Sequence, residues 1–197
     1  MNDEHRKRLL VQYSSLITSI YSLRVPPCSS SVSSVVKIPA KHMPQAANRQ
    51  SISYLTRRFK EVGIEPNSRH GQNFLIDLNL LRLLAESAAI TPDDVVLEVG
   101  TGTGSLTAQL ASRAAAVVTV EVDRRMYQLA GEELIEYPNV TMLLQDALAN
   151  KNTLNPAVLA EVRREMAASP NRRFKLVANL PYNIATPVLS NLLSADP

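Results

Sequence analysis

A chain of 197 residues, 45% hydrophobic and 20% charged, suffices for one sizeable core and a small appendage. No run approaches the roughly 18 uninterrupted apolar residues of a membrane helix, and no membrane partner is expected. The single cysteine, Cys28, excludes an internal disulfide and fits a reducing compartment. The net charge of +3 is unevenly spread: residues 1–90 hold 12 Lys/Arg against 6 Asp/Glu, and residues 91–197 hold 9 against 12. A nucleic-acid-binding face on a neutral core gives this asymmetry, and so does a basic, solvated tail.

Residues 1–47 hold a serine cluster beside Pro26 and Pro27 and no sustained apolar period. They are expected to be a disordered or leader segment, with a true start at Met43 as the alternative. Gln12, Ser14, Ser15 and Arg24 break the apolar patches that a secretory signal needs, and Asp3 and Glu4 fit a transit peptide badly. From residue 48 the pattern becomes helical. Ile52, Leu55, Phe59 and Val62 recur at three-to-four spacing and Gly63 ends the helix. A second helix is expected over 77–89, capped by Asp77, with Leu80, Leu81, Leu84 and Ala88 on its apolar face.

Beyond the turn Thr91-Pro92-Asp93-Asp94 the chain alternates. Strands are predicted at 95–99, 115–122, 140–144 and 175–178. Helices are predicted at 105–113, 124–135, 156–168 and from Pro187 to 193. Strand-helix alternation with near-continuous apolar strands predicts an α/β fold, an open doubly wound parallel sheet covered on both faces. Four strands are few for such a sheet, so residues 91–197 are expected to be a core incomplete at its C-terminus.

Four strand ends carry chemistry. Glu98-Val99-Gly100-Thr101-Gly102-Thr103-Gly104 follows the first strand and opens a helix, where open sheets bind ligands. Its glycines permit a tight turn and close ligand approach. Dinucleotide enzymes favour G-x-G-x-x-G; the G-x-G-x-G spacing here leans towards methyltransferases. Glu121, 17 residues beyond Gly104, closes the second strand and can accept both hydrogen bonds of a ribose diol, while Asp123 suits a helix cap. Position alone does not separate the ribose of an adenosyl group from that of NAD. Asp146, after the third strand, can accept from an adenine amine or serve as a turn residue.

Asn179-Leu180-Pro181-Tyr182 follows the fourth strand and decides the class. An exocyclic amine on a base is a poor nucleophile, because its lone pair is delocalised into the ring, so methyl transfer to it needs orientation more than a strong base. The Asn179 side-chain carbonyl and the Leu180 or Pro181 backbone carbonyl can accept the two amine hydrogens. Tyr182 can stack on the base, and Pro181 fixes the turn.

With Gly71-Gln72-Asn73-Phe74-Leu75 placed before the second helix, these motifs, in this order and spacing, resemble the ribosomal RNA adenine dimethyltransferases. This is the kasugamycin-resistance family, whose relatives include the erythromycin-resistance methylases. The resemblance covers about residues 69–194, and Asn183-Ile184-Ala185-Thr186-Pro187 resembles the small-subunit branch. It implies a Rossmann-like class I S-adenosylmethionine-dependent methyltransferase fold. It also implies N6,N6-dimethylation of two adjacent adenosines near the 3′ end of small-subunit ribosomal RNA. S-adenosyl-L-methionine would be the methyl donor, contacted by Asn73, Leu75, Gly100, Gly102, Glu121, Asp146 and Asn179. Asn179, Pro181 and Tyr182 would form the catalytic run. The target adenine must leave its stack to reach them. Arg57, Arg58, Lys60 and Arg69, in the basic segment 48–90, are candidate phosphate contacts, and equally a solvated helix face.

No metal site is expected. A cytoplasmic monomer acting on the pre-ribosomal small subunit is expected. The leader before residue 48 and the missing helical RNA-binding domain depart from the family, and the fragment itself could then be inactive. Two competing readings are a non-catalytic RNA-binding ribosome assembly factor, separable by cofactor affinity, and a NAD-linked oxidoreductase, which the Asn-Leu-Pro-Tyr run opposes.

Overall fold

The computed structural model describes residues 21–23, 52–61, 78–180 and 182–195. The chain order is β1 (Tyr21–Leu23), α1 (Ile52–Glu61), α2 (Leu78–Ser87), β2 (Asp94–Val99), α3 (Ser105–Ala111), β3 (Ala116–Glu121), α4 (Arg124–Glu133) and β4 (Val140–Leu144). There follow the short strands β5 (Leu148–Asn150) and β6 (Thr153–Leu154), then α5 (Pro156–Ala167), β7 (Arg173–Leu176) and α6 (Tyr182–Ala195).

Five strands form one sheet in the order β1-β7-β2-β3-β4. β7, β2, β3 and β4 are parallel, as the alternation predicts, with Val96 opposite Val117 and Leu97 opposite Leu176. β2 and β3 are buried along their whole length, so both read as apolar runs rather than alternating ones. One face packs Leu97, Val118 and Leu176 against Val158 and Val162 of α5 and Val188 and Leu192 of α6. The other packs Val96 and Val117 against Leu81 and Leu84 of α2, Ala88 just beyond it, and Leu106 and Leu110 of α3. Helix α2, which falls in the predicted segment 48–90, is thus part of the sheet's own core. Helix α1 docks through Phe59, which clusters with Met126 and Leu129 of α4.

Four details differ from the sequence reading. Before residue 48, where no regular element is predicted, Tyr21–Leu23 pairs antiparallel with β7, occupying backbone groups that a sheet edge leaves open. The strand predicted at 175–178 is Arg173–Leu176; its charged residues Arg173 and Lys175 hid its start, although the Val177 amide still donates to the Leu97 carbonyl at 3.0 Å. Helix α6 begins at Tyr182, not Pro187, which lies inside it. Proline lacks the N–H of a helical bond, but favourable packing of Val188 and Leu192 carries the helix through. The β5–β6 hairpin has too few residues to show a period of its own.

The amino end of the sheet is closed by charge. Asp94, fully buried, lies 2.9 Å from the Lys175 ammonium and 3.2 Å from Arg173. The Thr91 amide and hydroxyl donate to it at 2.7 and 3.0 Å. Burial by itself would raise the Asp94 pKa. The bonds from Lys175 and Thr91, with the ammonium's charge, outweigh it and hold the carboxyl below its ordinary value. Lys175 also donates to the Ala88 and Ala89 carbonyls at the end of α2, where Ala89 takes a left-handed φ of 46°.

Candidate functional site

In the parallel sheet, the chain enters at β2 and moves outward through β3 and β4 before returning to β7 on the other side. The crevice at the carboxyl ends of β2 and β7 is therefore a topological switch point, where open α/β sheets take their ligands. Both decisive motifs end there.

The glycine loop leaves β2 in a conformation that side chains resist. Gly100, Gly102 and Gly104 have φ of 87°, 56° and 78°. A Cβ at Gly100 or Gly102 would meet nothing within 4 Å, so these two face open space. Gly104 is different: a Cβ there would lie 3.3 Å from Leu134, and the residue caps α3. The loop is pinned to β3, since the Gly100 and Thr101 amides donate to the Val120 carbonyl at 2.8 and 3.3 Å.

Glu121, at the end of β3, is held by backbone donors. Oε1 accepts from the Val122 and Asp123 amides and Oε2 from the Gly102 amide, all at 2.9 Å. These bonds fix the carboxylate beside the loop, with lone pairs left for a diol. Asp123 caps α4 instead, accepting from the Arg125 and Met126 amides. Val122 is 67% exposed and Leu144, at the end of β4, 39%. Two apolar side chains thus stand out of the core on either side of the Glu121 strand end, the kind of wall a flat ring needs.

The Gln145 amide donates to the Glu121 carbonyl at 3.0 Å, which brings Asp146 beside that strand end. Asp146 Oδ1 accepts from the Leu148 amide at 2.9 Å, so the residue makes a turn as well as facing solvent. On the opposite side, β7 pairs with β2 through Leu176 and Leu97, and Asn179 and Gly100 each lie three residues beyond that pair, past the strand ends. Asn179, Gly100, Glu121 and Asp146 therefore form a row of residues at the carboxyl ends of four adjacent strands, in the sheet's spatial order.

Asn73, Leu75 and Arg69 lie outside the described residues, as does Pro181; Tyr182 contributes its backbone as the first residue of α6. On α1, Arg57 and Lys60 are exposed. Arg58 is turned inward, bonded to Glu61 at 2.6 Å and to Glu132 of α4, so it ties α1 down rather than presenting a surface cation. Among the described residues no three His, Cys, Asp or Glu side chains gather as metal ligands, and no helix is long and apolar enough to cross a membrane.

A buried polar layer under the loop escapes the sequence reading. Thr107 Oγ1 donates to Glu98 Oε2 at 2.6 Å, and Thr101 and Thr119 share a hydroxyl contact of 2.7 Å. The signal was present, as a glutamate and a threonine inside otherwise apolar strands. The Nε2 of Gln145 is also buried without a partner.

The sheet order, the left-handed glycine loop at its switch point and the pinned carboxylate on the next strand define a Rossmann-like class I methyltransferase domain. Its family follows from comparison. The chain belongs to the ribosomal RNA adenine dimethylase family, whose model matches residues 64–197. It is 38% identical over 137 residues to ribosomal RNA small subunit methyltransferase A of Moorella thermoacetica, covering 69% of this chain and 46% of that protein. It is 37% identical over 147 residues to a probable ribosomal RNA small subunit methyltransferase A of Methanopyrus kandleri, covering 75% and 47%. A dimethyladenosine transferase structure from Plasmodium falciparum matches 61% of this chain and 38% of that one at 26% identity and a TM-score of 0.46. The chain spans about half the length of the curated relatives it matches.

Proposed function

We propose that this chain holds the cofactor half of an enzyme that dimethylates N6 of two adjacent adenosines near the 3′ end of small-subunit ribosomal RNA. The observation that carries it is the row Asn179, Gly100, Glu121, Asp146 at the switch point. A nucleoside with a charged tail fits that row. The open glycine positions admit a close approach, Glu121 is oriented for a diol, and Val122 and Leu144 offer apolar contact beside Asp146. S-adenosyl-L-methionine, the methyl donor we assign to it, supplies an electrophilic methyl group on a sulfonium.

The chain's own residues do the rest. Gly100 and Gly102 leave room against the donor's tail, Glu121 takes the ribose hydroxyls and Asp146 the adenine amine. Asn73 and Leu75 complete the cradle from the N-terminal segment. Asn179 follows the strand that pairs with the strand of Gly100, so an amine bonded to its side-chain carbonyl is held on the donor's side of the crevice. A second carbonyl at Leu180 or Pro181 accepts the other hydrogen and turns the nitrogen lone pair towards the methyl group. Tyr182 stacks on the extruded base. Arg57, Lys60 and Arg69 meet phosphates. The enzyme works as a cytoplasmic monomer on the pre-ribosomal small subunit.

The test is transfer of labelled methyl from S-adenosylmethionine to unmethylated small ribosomal subunits by the full-length protein. Transfer to two adjacent adenosines, lost in Asn179→Ala, supports the proposal. Binding of the donor and the subunit with no transfer would establish a non-catalytic assembly factor instead.

A further inference from the structure

Glu98 is a buried carboxyl group with no cation beside it among the described residues. It is 1% exposed, and it faces α3 and the neighbouring strand β3. Thr107 donates to it from α3 and Thr119 bonds to it from β3. Thr119 in turn meets Thr101, the residue after Gly100. Thr107 and Thr119 are fully buried and Thr101 is 4% exposed. A closed chain of hydroxyls thus links the carboxyl to the glycine loop.

The charged group that bears on Glu98 is Glu121, of the same sign. α3 offers it a hydroxyl, and Lys175 of β7 is committed to Asp94 and the end of α2. Burial pushes the Glu98 pKa up to about 8, the bonds from Thr107 and Thr119 pull the other way, and Glu121 adds to the rise. At neutral pH the carboxyl is therefore protonated while the loop is empty. Bringing a positive charge to the loop favours the ionised form.

We propose that Glu98 is a positioning residue that exchanges a proton for a cationic ligand. When the sulfonium donor seats on the glycine loop, the carboxylic O–H bond breaks and the proton passes to solvent buffer. The carboxylate left behind then orders the loop through Thr119 and Thr101. The spent donor keeps its ammonium but has a neutral thioether, so it holds the proton off less well and leaves more readily. This inference rests on the donor assigned above.

Calorimetry on the whole chain tests it, with S-adenosylmethionine and S-adenosylhomocysteine in buffers of different ionisation enthalpy. The homocysteine compound controls for titration of the shared amino acid tail. The expected result is release of close to one proton per sulfonium ligand at pH 7, and clearly less for the thioether. Affinity for the sulfonium then rises up to about tenfold per pH unit below pH 8 and levels off above it. In Glu98→Gln, shown to be folded by its melting curve, the excess release and the pH slope disappear. Equal release for both ligands in the wild-type chain overturns the proposal without recourse to any variant, and so does an unchanged slope in folded Glu98→Gln. Binding without proton release defeats this inference alone; no binding of either ligand in any buffer defeats the donor assignment with it.

Discussion

The two ends of strand β2 each bury a carboxylic acid, and they treat it in opposite ways. Asp94, at the amino end, is ionised between Lys175 and Arg173, and one of its oxygens takes two hydrogen bonds from Thr91. Glu98, at the carboxyl end, has hydroxyls and a like charge. A buried ion pair of good geometry closes a structure, whereas a buried acid without a cation leaves it short of one. The sheet is thus finished at one end and kept incomplete at the end where ligands enter.

The comparison breaks most visibly at Lys175. Lys175→Met strands Asp94 with Arg173 alone and is expected to cost about 3 kcal/mol, read as a lowered urea midpoint at unchanged slope. Because the folded Asp94 pKa is lowered, its contribution is fully present above the unfolded value near 3.9. It fades as pH falls through the lower folded value, so the variant's deficit should shrink in acid. A deficit that stays constant down to pH 2 would mean that the ion pair is not what closes this end.

Glu98 should show the opposite sign. Its folded pKa lies above the unfolded one, so the free protein loses stability as pH rises from about 4.5 to about 8. Glu98→Gln removes that loss and should gain on the wild type by about 1.4 kcal/mol per pH unit between about pH 5 and pH 8, measured by melting at each pH. Parallel pH profiles would show that the two acids do not differ as described.

At the open end itself, Asn179→Ala should slow methyl transfer about a hundredfold while leaving donor affinity within a few-fold, since it removes an orienting acceptor. A loss confined to KM would place Asn179 in binding alone. Gly104→Ala should cost about 1–2 kcal/mol, from a left-handed residue given a Cβ against Leu134. The smallest change is Lys60→Gln, which should lower the salt slope of RNA binding by about one phosphate contact. An unchanged slope makes α1 a solvated face.

Most of the row was legible in the sequence because its parts are backbone-driven. Gly100 and Gly102 mark positive φ, and strand β4 falls at 140–144 as its apolar run requires. Asp123 behaves as the cap its position implies. The misplaced elements are those in which packing overrode local chemistry, as with Arg173 and Lys175 inside a strand and Pro187 inside a helix. Arg58 was legible as a cation but not as a clasp, since Glu132 reaches it only after α1 docks. The polar layer under the loop needs three elements, β2, α3 and β3, to meet, and no single stretch announces that.

The row at the switch point also makes ligand affinity a measure of assembly. The strand ends that carry Gly100 and Asn179 come from distant parts of the chain and meet only when β7 docks beside β2. On the proposed roles, a nascent or partly opened chain that has folded through β4 would carry the ribose contact but not the amine contact. It is therefore the substrate adenine, rather than the donor, whose binding favours the fully docked sheet over every intermediate, by an amount that grows with the logarithm of its concentration. Supply of the RNA substrate would then help to set how much of this protein survives quality control, in addition to how fast it works.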